Sequence, residues 1–128
     1  MLLTYNIVSN KTKNKKLKGL ANMENVKTIN KFDSVVTGLK GNEVAYITPS
    51  GLQFVIIARG CNYYGNPTFH LYMDSESMEK VKNCKNRCGR VLLNKKTQMR
   101  YLTFTSYNLS SSLAHLFEKS GIETGLEK

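Results

Sequence analysis

The alternation of apolar and polar positions is sharpest between residues 43 and 73. Residues 43–48, Glu-Val-Ala-Tyr-Ile-Thr, are rich in strand formers, and Pro49-Ser50-Gly51 is a turn cluster. The following run, 52–58, is apolar on both faces apart from Gln53, which suits a central strand. Together these segments predict a β-hairpin with a three-residue loop. Residues 60–67 read as a loop. Residues 68–73 then alternate, with Phe69, Leu71 and Met73 inward and Thr68, His70 and Tyr72 outward.

A helix is expected over about 75–88, capped by Asp74 or Ser75 and stopped by Gly89. Its inward stripe is Met78, Val81, Cys84 or Lys85, and Cys88. Residues 90–94 and 99–107 form a second predicted hairpin over Lys95-Lys96-Thr97-Gln98, and a last helix runs from about 110 to 120. Asn108 or Ser110 caps that helix, Gly121 ends it, and the tail after Ile122 is expected to fray. Near the start, Leu2, Tyr5, Ile7 and Val8 allow a strand, residues 9–19 read as a lysine-rich mobile loop, and Leu20, Met23, Val26 and Ile29 suggest a helix over about 20–31. The fold class expected is α+β: one domain over residues 1–128, an antiparallel or mixed sheet of five or six strands with two or three helices packed on one face. Its core is expected to hold Leu52, Phe54, Ile56, Phe69, Leu71, Leu102, Phe104, Leu113, Leu116 and Phe117.

Composition adds little to that architecture but bounds the setting. At 128 residues and 41% hydrophobic content the chain has enough for a single core. No apolar run approaches a membrane span, and the first ten residues lack the pattern of a signal peptide, so a soluble, cytoplasmic protein is expected. Three cysteines, an odd number, argue against a disulfide framework.

Charge changes the picture more. Nineteen Lys and Arg against nine Asp and Glu give +10, unevenly spread. Residues 1–32 carry seven basic groups and one acid, and residues 33–79 carry two basic groups and five acids. Residues 80–100 carry eight basic groups and no acid: Lys80, Lys82, Lys85, Arg87, Arg90, Lys95, Lys96 and Arg100. A/T-rich coding accounts for fifteen lysines and thirteen asparagines, but it accounts less well for twenty-one residues without one acid. The seven from Lys80 to Lys96 read as one continuous positive surface for phosphates, with Arg100 a further candidate contact.

Three constellations could carry chemistry. Cys61, His70, Cys84 and Cys88 offer zinc-type ligands, but only Cys84 and Cys88 form a close pair. At i and i+4 of a helix they read better as structural thiols, so no metal and no cofactor is expected. Tyr101, Thr103, Thr105 and Tyr107 share one face of the last strand, and with His70 and Tyr72 they suggest a platform on which bases stack. His70, with Tyr72, Arg100 and Tyr101 near it, also meets the minimal needs of metal-independent RNA cleavage. His115 reads as solvated on the polar face of the last helix. No phosphate loop, Gly-x-Ser-x-Gly or His-Glu-x-x-His motif is present.

The reading that uses both charge and aromatics is a small nucleic-acid-binding protein without catalysis, DNA or RNA. Its site would comprise the eight basic residues with Tyr72 and Tyr101. An interaction protein of phage or mobile-element type, inhibiting a host nucleoprotein, is the alternative, and a small ribonuclease is the third.

Overall fold

The central strand predicted from the run at 52–58 stands in the interior of the sheet. In the computed structural model, which describes residues 26–35, 43–85 and 87–126, six strands lie in the order β1-β2-β3-β4-β6-β5. They are β1 (Lys27–Thr28), β2 (Glu43–Ile47), β3 (Gln53–Cys61), β4 (Pro67–Met73), β5 (Arg90–Asn94) and β6 (Met99–Thr105). Among the described residues only the β1–β2 pair is parallel, so the sheet is mixed. Helices α1 (Ser75–Lys82) and α2 (Leu109–Ser120), with a 3-10 turn at Phe32–Ser34, cover one face. The fold is α+β.

Turn chemistry sets the register. Gly51 donates to the Thr48 carbonyl at 2.9 Å with φ +91°, which closes Pro49-Ser50-Gly51 as the expected three-residue loop. At the second hairpin Asn94 Oδ1 accepts from the amides of Lys96 and Thr97, and Gln98 takes a left-handed φ of 61°. Asp74 caps α1 by accepting from the Ser77 amide at 2.9 Å. Asn108 caps α2 from Ser111 at 3.1 Å, and Gly121 ends it at φ 72°.

All ten expected core residues are buried in one cluster on the helix side. Phe117 of α2 meets Phe54 edge-on at 5.4 Å and Phe32 at 6.1 Å, so the 3-10 turn, the central strand and the last helix share one aromatic contact.

Four expectations need correction. First, α1 stops at Lys82, because the chain leaves the helical path at Asn83 rather than at Gly89. Cys84 and Cys88 therefore share no helix face: Cys84 is buried and Cys88 exposed. Gly89 serves instead at the entry to β5, where φ is +80° and a Cβ would run into the Thr103 carbonyl oxygen. Second, of the helix expected over 20–31, the described part is β1 and a bend, since pairing with β2 outweighs a stripe that drifts at every third residue. Third, residues 122–126 do not fray: the Ser50 amide and hydroxyl donate to the carbonyls of Thr124 and Glu123 at 3.2 and 2.7 Å, and Ile122 is buried. Fourth, β3 continues to Cys61 through an irregularity after Ala58, where Gly60 takes φ +87°. The strand at 2–8 and the loop at 9–19 lie outside the described residues.

Candidate nucleic-acid interface

Strand alternation sends successive side chains to opposite faces, so one parity of each strand builds the helix-side core and the other builds the far face. The antiparallel registers Glu43↔Ile57, Ile57↔His70, His70↔Thr103 and Thr103↔Arg90 align one row across five strands of that far face. With neighbouring strands about 4.8 Å apart, Glu43 and Arg90 each stand roughly 10 Å from His70, on either side of it. The adjoining row runs Ala45, Val55 and Tyr72 in register, then Tyr101 paired with Leu92.

The rings stack. His70 lies 4.6 Å from Tyr101 between centroids, and Tyr72 lies 5.0 Å from Tyr101 with the ring planes 25° apart. The far face is not a uniformly wet platform, however. Ala45, Val55, Ile57, Tyr72 and Met99 form a second buried apolar cluster there, with Tyr101 packed against it. Tyr72 is only 3% exposed, and its hydroxyl accepts from Asn94 Nδ2 at 3.0 Å. A base cannot stack on a ring already sealed by Tyr101 and Val55, so Tyr72 supports the site rather than presenting it. Tyr101, His70 and Thr103 are half-buried, whereas Glu43, Arg59 and Arg90 are exposed.

Electrostatics single out the same row. Burial pushes the His70 imidazole below its ordinary 6.5, and the positive charge of Arg59 pushes it the same way. Glu43 is raised above 4.5 by burial, with Arg59 acting against that rise. Burial also raises the Tyr72 phenol, opposed by its bond from Asn94. Arg59 thus acts on both Glu43 and His70. It supplies the cation beside His70 that the sequence reading sought in Arg100.

The eight basic residues of 80–100 do not make one surface. Lys80 and Lys82 lie exposed on α1, and Lys85 is exposed just beyond it. Arg87 turns back to donate from Nη1 to the carbonyls of Lys82 and Cys84 at 3.0 and 3.1 Å, capping the C-terminal end of α1. Arg100 shares the helix side with Leu102 and pairs with Glu79 at 3.4 Å. Arg90, opposite Thr103, belongs to the far face, and Lys95 and Lys96 sit at the hairpin tip, about five residues or 16 Å along the strand. A linear charge run is divided by a helix end, two sheet faces and a turn.

Sequence reasoning missed Arg59 and Glu43. The signal was available for Arg59, which follows Val55 and Ile57 at the same parity. Glu43 is harder to find, because its place depends on a register two strands from His70. Cys61, like Cys88, is exposed, and among the described residues no three His, Cys, Asp or Glu side chains converge as a metal site would need. His115 is exposed on α2.

Tyr107 is exposed beyond the end of β6 and donates its hydroxyl to Asn66 Oδ1, so it takes no part in the ring stack. Among the described residues no helix is long and apolar enough to cross a membrane. Compared with models of protein families, with curated proteins and with solved structures, the chain finds no match.

Proposed function

We propose that the chain binds nucleic acid through the sheet face opposite its helices. In this reading Arg59 and Arg90 contact phosphates, and the accessible edges of Tyr101 and His70 meet bases. The observation that carries it is the juxtaposition of two exposed arginines with the His70–Tyr101 ring pair on one face. Lys80, Lys82, Lys85, Lys95 and Lys96 contribute long-range attraction from several directions rather than a single contact surface. Tyr72 contributes by holding Tyr101 in place.

The test is titration of labelled single-stranded DNA and RNA of about twelve nucleotides over a range of salt. Reversing Arg59 and Arg90 together to Glu should weaken binding at least about tenfold and lower the salt slope by about 1.4, two phosphates at about 0.7 each. Tyr101→Phe should be nearly silent, because stacking uses the ring, whereas Tyr101→Ala should cost about 1–3 kcal/mol. Wild-type binding that is absent, or flat in salt, would favour a partner made of protein instead.

A second reading has one observation in its favour. Glu43 and His70 flank Ile57 on a single row, with Arg59 acting on both, which is the set that general acid–base cleavage of RNA requires. Incubation with RNA in the absence of added metal separates the two: products that disappear in both His70→Ala and Glu43→Gln would establish cleavage.

A further inference from the structure

On the helix side of the sheet, apart from the ring row, α2 and the segment entering β5 stand away from each other and leave a cleft of about 230 Å³. Its floor is Leu102 and Phe104 of β6 with Leu116 of α2, all nearly fully buried. Its rim carries Arg87, His115 and Lys119, together with the exposed Cys88 thiol and the hydroxyls of Ser111 and Ser112. Among the described residues no acidic side chain lines it.

Arg87 gives the cleft direction. Bonds from Nη1 to the Lys82 and Cys84 carbonyls fix the guanidinium. A guanidinium held in place in this way loses little freedom on binding a carboxylate or phosphate. Lys119, from the far wall, adds a second cation. The inward Ser112 hydroxyl is already engaged with Ser106 at 2.5 Å, so the polar recognition falls to the rim cations.

We infer that this cleft binds a small amphipathic anion: one apolar ring or short chain on Leu102, Phe104 and Leu116, with one carboxylate or phosphate group against Arg87 and Lys119. The volume lies below the roughly 300–1,000 Å³ of pockets for larger ligands, which limits the apolar part to about a single ring. An apolar floor alone would accept any hydrocarbon. The cationic rim without an acid is what selects the anion.

Amide chemical-shift titration of the full chain with three probes tests the inference: 3-phenylpropanoate, phenyl phosphate and neutral 3-phenylpropan-1-ol. Saturable shifts at Arg87, Cys88, Ser111, Ser112, His115 and Leu116 are expected with at least one anion, at about millimolar Kd or tighter. The alcohol should bind at least about tenfold more weakly. The two anions distinguish a carboxylate site from a phosphate site. Arg87→Gln also removes a helix cap, so Lys119→Gln is the companion variant: it should weaken the anion about fivefold or more and leave the alcohol unchanged. Leu116→Trp, filling the floor, should abolish both. Equal binding of acid and alcohol, shifts scattered over the surface lysines, or no saturation by either anion at about ten millimolar would overturn it.

Discussion

Tyr46, Phe54, Ile56, Leu71 and Leu102 point toward the two helices and are almost wholly sealed. From the same strands, the opposite face sends out Glu43, Arg59 and His70 beside Val55, Ile57 and Tyr72. The helix side answers to one constraint, exclusion of water under α1 and α2. The far side combines an apolar cluster with ionisable groups, His70 half-buried and Glu43 at the exposed end of the same row, and partial desolvation moves both away from their ordinary values. Such a conflict between burial and charge has no packing benefit of its own, which is why the far side is where function is sought.

The strongest way to break that contrast is to truncate each face in turn. Phe117→Ala removes the ring that touches both Phe54 and Phe32, and should cost about 3–5 kcal/mol, a fall of more than about 10 °C in Tm. Tyr101→Ala, at the margin of the far-side cluster, should cost about 1–2 kcal/mol. Thermal melts of the two variants side by side decide the point. Equal losses would mean that both faces are packed alike and that the far side is simply a second core.

Two glycines with positive φ, Gly89 and Gly51, offer a second contrast. Gly89 leads the chain into β5, and alanine there would meet strain twice: φ is +80°, and the added Cβ would press on the Thr103 carbonyl oxygen and lie 2.8 Å from Phe104 Cβ. Gly89→Ala should therefore cost about 2–4 kcal/mol, and chemical denaturation should also show β5 detaching first. Gly51 has a similar φ, +91°, but nothing within 4 Å, so Gly51→Ala should cost only about 1 kcal/mol. A similar loss at both positions would show that backbone strain alone, and not the approach to β6, makes Gly89 necessary.

What the sequence disclosed follows the same division. Both hairpins, both helix caps and the ten core residues were legible, because alternation, turn residues and capping residues act over a few positions. The shared parity of His70, Tyr72 and Tyr101 was legible for that reason too. Exposure was not: whether Tyr72 is wet depends on Tyr101 and Val55 arriving from other strands. The end of α1 was misjudged because Lys85 and Arg87 suit a last helical turn, while the actual end is stabilised by Arg87 folding back from outside it. The basic run failed as a surface because proximity along the chain says nothing about which face Arg90 and Arg100 take.

The smallest expected effect tests the far face by its protons. The folded chain holds His70 below 6.5, first through burial and then through Arg59, so the unfolded chain binds more protons between that lowered value and 6.5. Stability from this group is therefore complete above 6.5 and is lost as pH falls through the folded value. Glu43 works in the opposite sense. Its carboxyl is raised above 4.5, so its contribution is complete below 4.5 and is lost as pH rises through the folded value. The two slopes oppose each other wherever their windows overlap between 4.5 and 6.5, and the wild type should be less pH-dependent there than either single variant. His70→Gln should remove the gain on raising pH and leave the Glu43 loss visible; Glu43→Gln should do the reverse. Urea midpoints for the three proteins at about half-unit steps from about pH 4.5 to about pH 8 measure this. Three parallel curves would mean that neither group changes its proton affinity on folding, and the contrast between the two faces would lose its electrostatic half.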